Sequence, residues 1–244
     1  MFIQINTERA KAPQSPPSYD SGDFYFILSF MIRTSFLIDG FNLYHSVKTA
    51  SHDLGLSGGG TRWLDIRSMC QSYLHLIDTT ARLAEIYYFS ALAKHLENRK
   101  PDVTTRHKTY IRCLEDSGVI VELHRFKKNL TFCQKCNQTF NRREEKETDV
   151  AMATRMLELL FLDKCDTIVL VTGDTDVVPA VKTAQRIFPN NEIIFLMPYK
   201  RHNKELAILG SKHFDISSQN YTKHQFADPF ITKKEKSIVK PLSW

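Results

Sequence analysis

Four aspartates stand where carboxylates can act together. Asp39 closes the apolar run FLID, and Asp174 and Asp176 follow VLVTG with one residue between them. Asp149 lies at the start of a helical segment opened by EEKETD. In open α/β sheets, ligands bind beyond the carboxyl ends of the strands, so acids at strand ends face that edge. Several acids at one edge repel one another, and a hard divalent cation such as Mg²⁺ relieves the repulsion through oxygen ligands while keeping waters of its own. Such a cation polarises a phosphate and activates a water for in-line attack. Each acid also has a plainer reading. Asp176 serves as a cap for the helix that follows, Asp149 complements a helix dipole, and Asn42 caps the short helix after FN.

The elements that must carry these residues are legible as alternating patterns. Short, mostly continuous apolar runs predict strands at 34–39, 84–90, 119–124, 167–172, 192–197 and 213–217. Helical patterns fall near 41–50, 64–77, 101–116, 147–163, 176–187 and 203–209. Strand and helix in alternation predict an α/β fold, a mostly parallel central sheet flanked by helices. On the helix beginning near 147, Asp149, Ala153, Met156 and Leu160 share one face, which turns Asp149 inward at the sheet's upper edge. Residues 1–23 are polar and carry APQSPPSYDSGD, which reads as disorder, and the whole extension 1–30 ahead of Met31 reads as disordered or as a gene-calling artefact. The domain is expected over 31–220. Within it GLSGGG (55–60) reads as a loop, and 127–146 as a basic, poorly periodic insertion. Residues 221–244 read as a basic tail.

Three blocks resemble one known family. FLIDGFNLYHSV, EEKETDVAMATRMLELL and VLVTGDTDVVPAVKTA are similar to the signature blocks of the NYN domain, one of the PIN-like ribonucleases. Asp39 and Asn42 match the first block. Lys146 and Asp149 match the Lys-x-x-Asp of the second, and Thr172, Gly173, Asp174 and Asp176 match the third. Order and spacing agree over roughly residues 34–217, and Val177 departs from the aromatic that often follows the second acid. The resemblance implies a Rossmann-like PIN-type fold and a Mg²⁺- or Mn²⁺-dependent ribonuclease, with RNA as partner. Asp39, Asp149 and Asp174 are then the expected metal cluster, with Asp176 joining them or standing just behind. Asn42 and Thr172 would hold a phosphate oxygen or orient a carboxylate. Lys146 would offset phosphate charge, or else is a solvated helix-start lysine. The rival of another class is a non-catalytic RNA-binding or regulatory module that keeps the fold. A phosphatase would need a second acid directly after the first strand, and Asp39-Gly40-Phe41 lacks it.

The remaining signals are weaker individually. Cys133 and Cys136 form a CxxC with His124 as the nearest third zinc ligand, Cys113 or His107 behind it; a structural zinc site takes four, and a pair of free thiols is the alternative. Lys127 and Lys128 beside Phe126 and Phe132, and Lys200 and Arg201 beside Tyr199, suit single-stranded RNA. PYKRHNKEL follows a strand and so lies near the active edge. The net charge of +6 fits a polyanion partner without establishing one. Five cysteines, an odd number, argue against a disulfide framework and for a reducing, cytoplasmic setting. The apolar stretch 24–38 is short for a span and carries Arg33, so no transmembrane segment is expected. A homo-oligomer is compatible with these features.

Overall fold

The structure is a computed structural model. It describes residues 31–56, 60–133 and 135–242, with the backbone alone at 126–131, 133 and 140–146. The expected extension at 1–30 lies outside the described residues, as do the side chains of Lys127, Lys128, Cys133 and Lys146.

Seven strands form one sheet. They are β1 (Ile32–Asp39), β2 (Ala81–Ala91), β3 (Ile120–Cys133), β4 (Gln138–Lys146), β5 (Thr167–Val171), β6 (Glu192–Met197) and β7 (Lys212–Asp215). Their spatial order is β4-β3-β2-β1-β5-β6-β7. Every neighbouring pair is parallel except β3 with β4. Side chains alternate across the sheet, as the period of two requires. Phe36, Ile38, Tyr88, Val169 and Val171 face one way, and Leu37, Tyr87, Phe89, Ile168 and Leu170 the other. The first face is covered by α1 (Gly40–Asp53), α2 (Ile66–Ile77) and α3 (Val103–Ser117), the second by α4 (Thr148–Phe161), α5 (Val178–Ile187) and α6 (Lys204–Leu209). Burying each large apolar side chain of these two layers contributes about 1.5–3 kcal/mol.

The parallel strands wind outward in both directions from β1 and β5. The chain builds β1, β2 and β3 toward one edge, then returns to add β5, β6 and β7 toward the other. A crevice opens at such a reversal, beyond the carboxyl ends of the two central strands. Asp39 ends β1, and Thr172 to Asp176 follow β5, so the topology brings both acid-bearing segments to that crevice.

Two segments differ from the sequence expectation. The insertion at 127–146 is an antiparallel ribbon, with Arg125 opposite Lys146 and Cys133 opposite Gln138. Its polar, charged composition lacks the apolar alternation of a strand packed on a core, which is why it reads as a loop. The segment after 220 is anchored and is not a free tail. Within and beyond α7 (Ser218–Lys223), Tyr221, Phe226 and Ile238 are buried in the first core layer with Trp63. A short ribbon, β8 (Phe230–Ile231) with β9 (Ser237–Ile238), completes it. The apolar residues there are spaced irregularly because they fill one hole in the core and do not form one face of a regular element.

Candidate active site

Asp39 is the hinge of the site. It caps the first turn of α1, its Oδ1 accepting from the Asn42 backbone N–H at 2.9 Å. Its Oδ2 accepts from Thr172 Oγ1 at 3.0 Å. Thr172, fully buried, in turn accepts from the Asp174 backbone N–H at 3.1 Å. One hydroxyl therefore joins the ends of β1 and β5 and orients both acid-bearing turns. Asn42 adds a second tie, its Oδ1 accepting from the Gly173 N–H at 3.3 Å. Asn42 does not cap the helix, because Asp39 does.

Gly173 is required by a close approach. A Cβ there would lie 2.2 Å from the Arg201 carbonyl oxygen. The loop after β6 thus packs directly on the acid-bearing turn. Asp174 caps a single 3₁₀ turn, Thr175–Val177, accepting from the Asp176 N–H at 3.2 Å. Asp176 is exposed within that turn. The helix-cap reading of Asp176 fails, since α5 has Val177 at its cap position and no side-chain cap bond.

Asp149 comes from a third segment, the first turn of α4. Thr148, Met152, Met156, Leu159 and Leu160 make the buried stripe of that helix, so Asp149 lies half-buried on its flank and does not head it. Its carboxyl is pushed above the usual range, first by burial and then by the negative charges of Asp174 and Asp176. Asp149 and the β5 turn therefore share one electrostatic neighbourhood. All four acids are hard oxygen donors, and their crowding is the condition that a divalent cation relieves. The donor set fits Mg²⁺ or Mn²⁺. As placed, the acids are grouped but not closed into a ligand shell: among the described residues, no set of three or more His, Cys, Asp or Glu stands ready to hold an ion.

The other expected residues fall into separate places. Lys200 Nζ is paired with Asp53 Oδ2 at 2.7 Å. Arg201 is exposed, and its charge helps hold the His45 imidazole below its usual range, after burial and ahead of Lys48. Cys136 is exposed in the turn between β3 and β4. His124 does not accompany it. Residues 124 and 133 lie on one continuous strand, and nine residues of strand span roughly 30 Å. His124 instead stacks on Phe89, with ring centroids 6.3 Å apart. Cys113 is buried in the core, and His107 on α3 lines a cavity described below. Sequence reasoning missed Asn203, which caps α6 and whose Nδ2 donates to the Gly173 carbonyl at 3.5 Å, and the aromatic residues of α1. The run FNLYH directly after FLIDG was the available signal for the latter.

The crevice, its acids and the strand order define a Rossmann-like α/β protein of the PIN-like nuclease type. The profile of the NYN domain matches residues 33–206, and the chain belongs to the NYN domain family. That family is generally nuclease-like. Among solved structures, the chain is similar to a protein of unknown function from Vibrio parahaemolyticus RIMD 2210633, at a TM-score of 0.46 and 14% identity, over 77% of this chain and 94% of that one. No curated protein matches it. Among the described residues, no helix is long and apolar enough to cross a membrane.

Proposed function

We propose that the chain is a divalent-cation-dependent ribonuclease that hydrolyses RNA phosphodiester bonds at the β1–β5 crevice. The observation that carries this reading is the convergence of acids there. Asp39 and Asp174 are oriented by one buried hydroxyl, while Asp149 from a third segment feels the charges of Asp174 and Asp176. Asp39, Asp149 and Asp174 would hold Mg²⁺ or Mn²⁺, with Asp176 beside them. When bound, the ion polarises the phosphate and supplies an activated water.

The chain's own residues do the positioning. Thr172 fixes one oxygen of Asp39 and the backbone of Asp174, so neither acid must reorganise when substrate arrives. Asn42 holds the Gly173 N–H and keeps the two turns in register. Asp149, half-buried and facing the charges of Asp174 and Asp176, has its carboxyl raised by that burial and charge. Lys146, Lys127 and Lys128 on the ribbon, and Arg201 beside the crevice, are proposed to attract the phosphate backbone. Lys200 would contribute only after leaving Asp53.

The rival is a non-catalytic RNA-binding module that keeps the fold. Purified protein incubated with labelled single-stranded and duplex RNAs in Mg²⁺, Mn²⁺ or chelator separates the two. Chelator-sensitive cleavage that disappears in Asp174→Asn is the expected result. Binding without cleavage in either metal leaves the second reading.

A further inference from the structure

A cavity of about 440 Å³ opens beside the acids, on the α1 side of the sheet. Gly40, the residue after Asp39, forms part of its wall. The two residues' Cα atoms are therefore about 3.8 Å apart. The cavity wall thus begins one residue along the chain from the acid edge, and a Cβ at Gly40 would lie 2.5 Å from the Phe89 carbonyl oxygen and 2.7 Å from the Tyr88 ring.

The lining has a definite chemistry. Phe41 and Tyr44 stand at the mouth, 49% and 46% exposed, while Tyr88 and Tyr110 are buried in the wall. Large aromatic side chains left half in water on a helix that could have presented polar residues offer flat faces for stacking. Arg62 lines the same space, and its Nε is a buried donor with no hydrogen-bond partner among the described residues. A buried donor of that kind is satisfied by an acceptor on a ligand. Among the described residues, no aspartate or glutamate lines the cavity. Burial holds the His107 imidazole down, at about 4, so at neutral pH it offers one donor and one acceptor and no charge, as the hydrogen-bonding edge of a base requires. The volume falls within the range of small-ligand pockets, roughly 300–1,000 Å³.

We infer that this cavity receives the nucleobase adjoining the phosphate bound at the acid edge, in single-stranded RNA, where base stacking and edge bonding govern recognition. The choice of RNA and the placing of the phosphate rest on the ribonuclease reading; the pocket itself rests on its lining. A base inside a duplex is stacked between its neighbours and cannot enter, so the cavity selects unpaired strands.

The test measures binding in chelator, where no cleavage occurs. AMP, GMP, CMP and UMP are titrated against ribose 5-phosphate, and a short fluorescent single-stranded RNA against its duplex. At least one mononucleotide should bind at least about tenfold more tightly than ribose 5-phosphate. Phe41→Ala and Tyr44→Ala, both at exposed positions, should each weaken single-strand binding by about 5- to 150-fold, the scale of one lost base stack. Phe41→Trp should restore it, and Ala93→Trp, which fills the cavity from its wall, should abolish it. Equal binding of ribose 5-phosphate and all four nucleotides, or unchanged affinity in both alanine variants, would overturn the inference. A chain that binds a base here yet leaves RNA intact in Mg²⁺ and Mn²⁺ keeps the pocket and loses the nuclease reading. Metal-dependent cleavage that ignores all four variants does the reverse.

Discussion

Thr172 does more than its size suggests. Its hydroxyl is donor to Asp39 and acceptor from the Asp174 backbone, so Thr172→Val removes both bonds while keeping the shape. It also removes one buried hydrogen bond from the Asp39 carboxylate, a net cost of about 1.5–3 kcal/mol for a bond to a charged group. A chemical-denaturation midpoint should shift accordingly, and activity should fall with it. Asp174→Asn should cut turnover by about 10²- to 10³-fold, the scale of losing one preorganised electrostatic group, with the thermal melt of the metal-free protein unchanged or raised. Asp176→Asn isolates chemistry from capping, because Asp176 caps nothing; a fall in turnover there would place it in the metal's surroundings. Asp149 gives a pH signature. Its folded-state carboxyl titrates above its unfolded value, so the folded state holds more protons through the interval between the two. Its contribution to stability is therefore greatest on the acid side and is lost as pH rises through the raised value. The difference in stability between metal-free wild type and Asp149→Asn should show that slope, and Mg²⁺ or Mn²⁺ should flatten it.

At the scale of elements, the loop after β6 and the turn after β5 are pressed together at Gly173. Gly173→Ala would drive a methyl group into the Arg201 carbonyl. One of the two segments must then move, at a cost of about 1–3 kcal/mol. The expected outcome is a folded protein with a lowered melting temperature and a disproportionate loss of turnover, since the two segments pack on each other and one of them carries Asp174. The β3–β4 ribbon makes a different prediction. Its turn brings Cys136 into solvent, but His124 remains at the base of the strand, far along the chain's own extended path. One chain thus offers a single CxxC, and a four-ligand zinc site needs two ribbons. Metal analysis after size separation should find no stoichiometric zinc in monomer fractions. Zinc that travels with a dimer, and is released by Cys133→Ser with Cys136→Ser, would show a shared site. Stoichiometric zinc in monomers would contradict this placement.

For the whole molecule, the segment beyond the NYN match is part of the core. Phe226 packs edge-on against Trp63 at 6.0 Å between ring centroids and against Phe230 at 4.9 Å. Its backbone N–H donates to the Trp63 carbonyl. Tyr221 reaches Ser46 on α1 at 2.8 Å, and its hydroxyl also accepts from the Tyr199 N–H. These contacts tie the C-terminal segment to the helix that Asp39 caps. Phe226→Ala should cost about 3–5 kcal/mol, read as a drop in the denaturation midpoint, and truncation after Asp215 should lower the melting temperature further and weaken activity through α1. A truncated chain that melts as the full one does would show that this packing contributes nothing.

The strands that carry the site were legible because each is buried on both faces. Runs such as FLID and VLVTG admit few readings other than a central parallel strand ending in acid, and the three ordered blocks added the family. Composition did not give the ribbon at 127–146, whose charged residues pair through the backbone, which every sequence can supply. It did not give the C-terminal anchor either, because Tyr221, Phe226 and Ile238 follow no single period. Nor did it give the bond from Thr172 to Asp39, which joins residues 133 positions apart. Periodicity reports which face of an element is buried. Which elements meet, and which carboxylates then crowd one another, is decided by the strand order, and that order is a property of the folded chain.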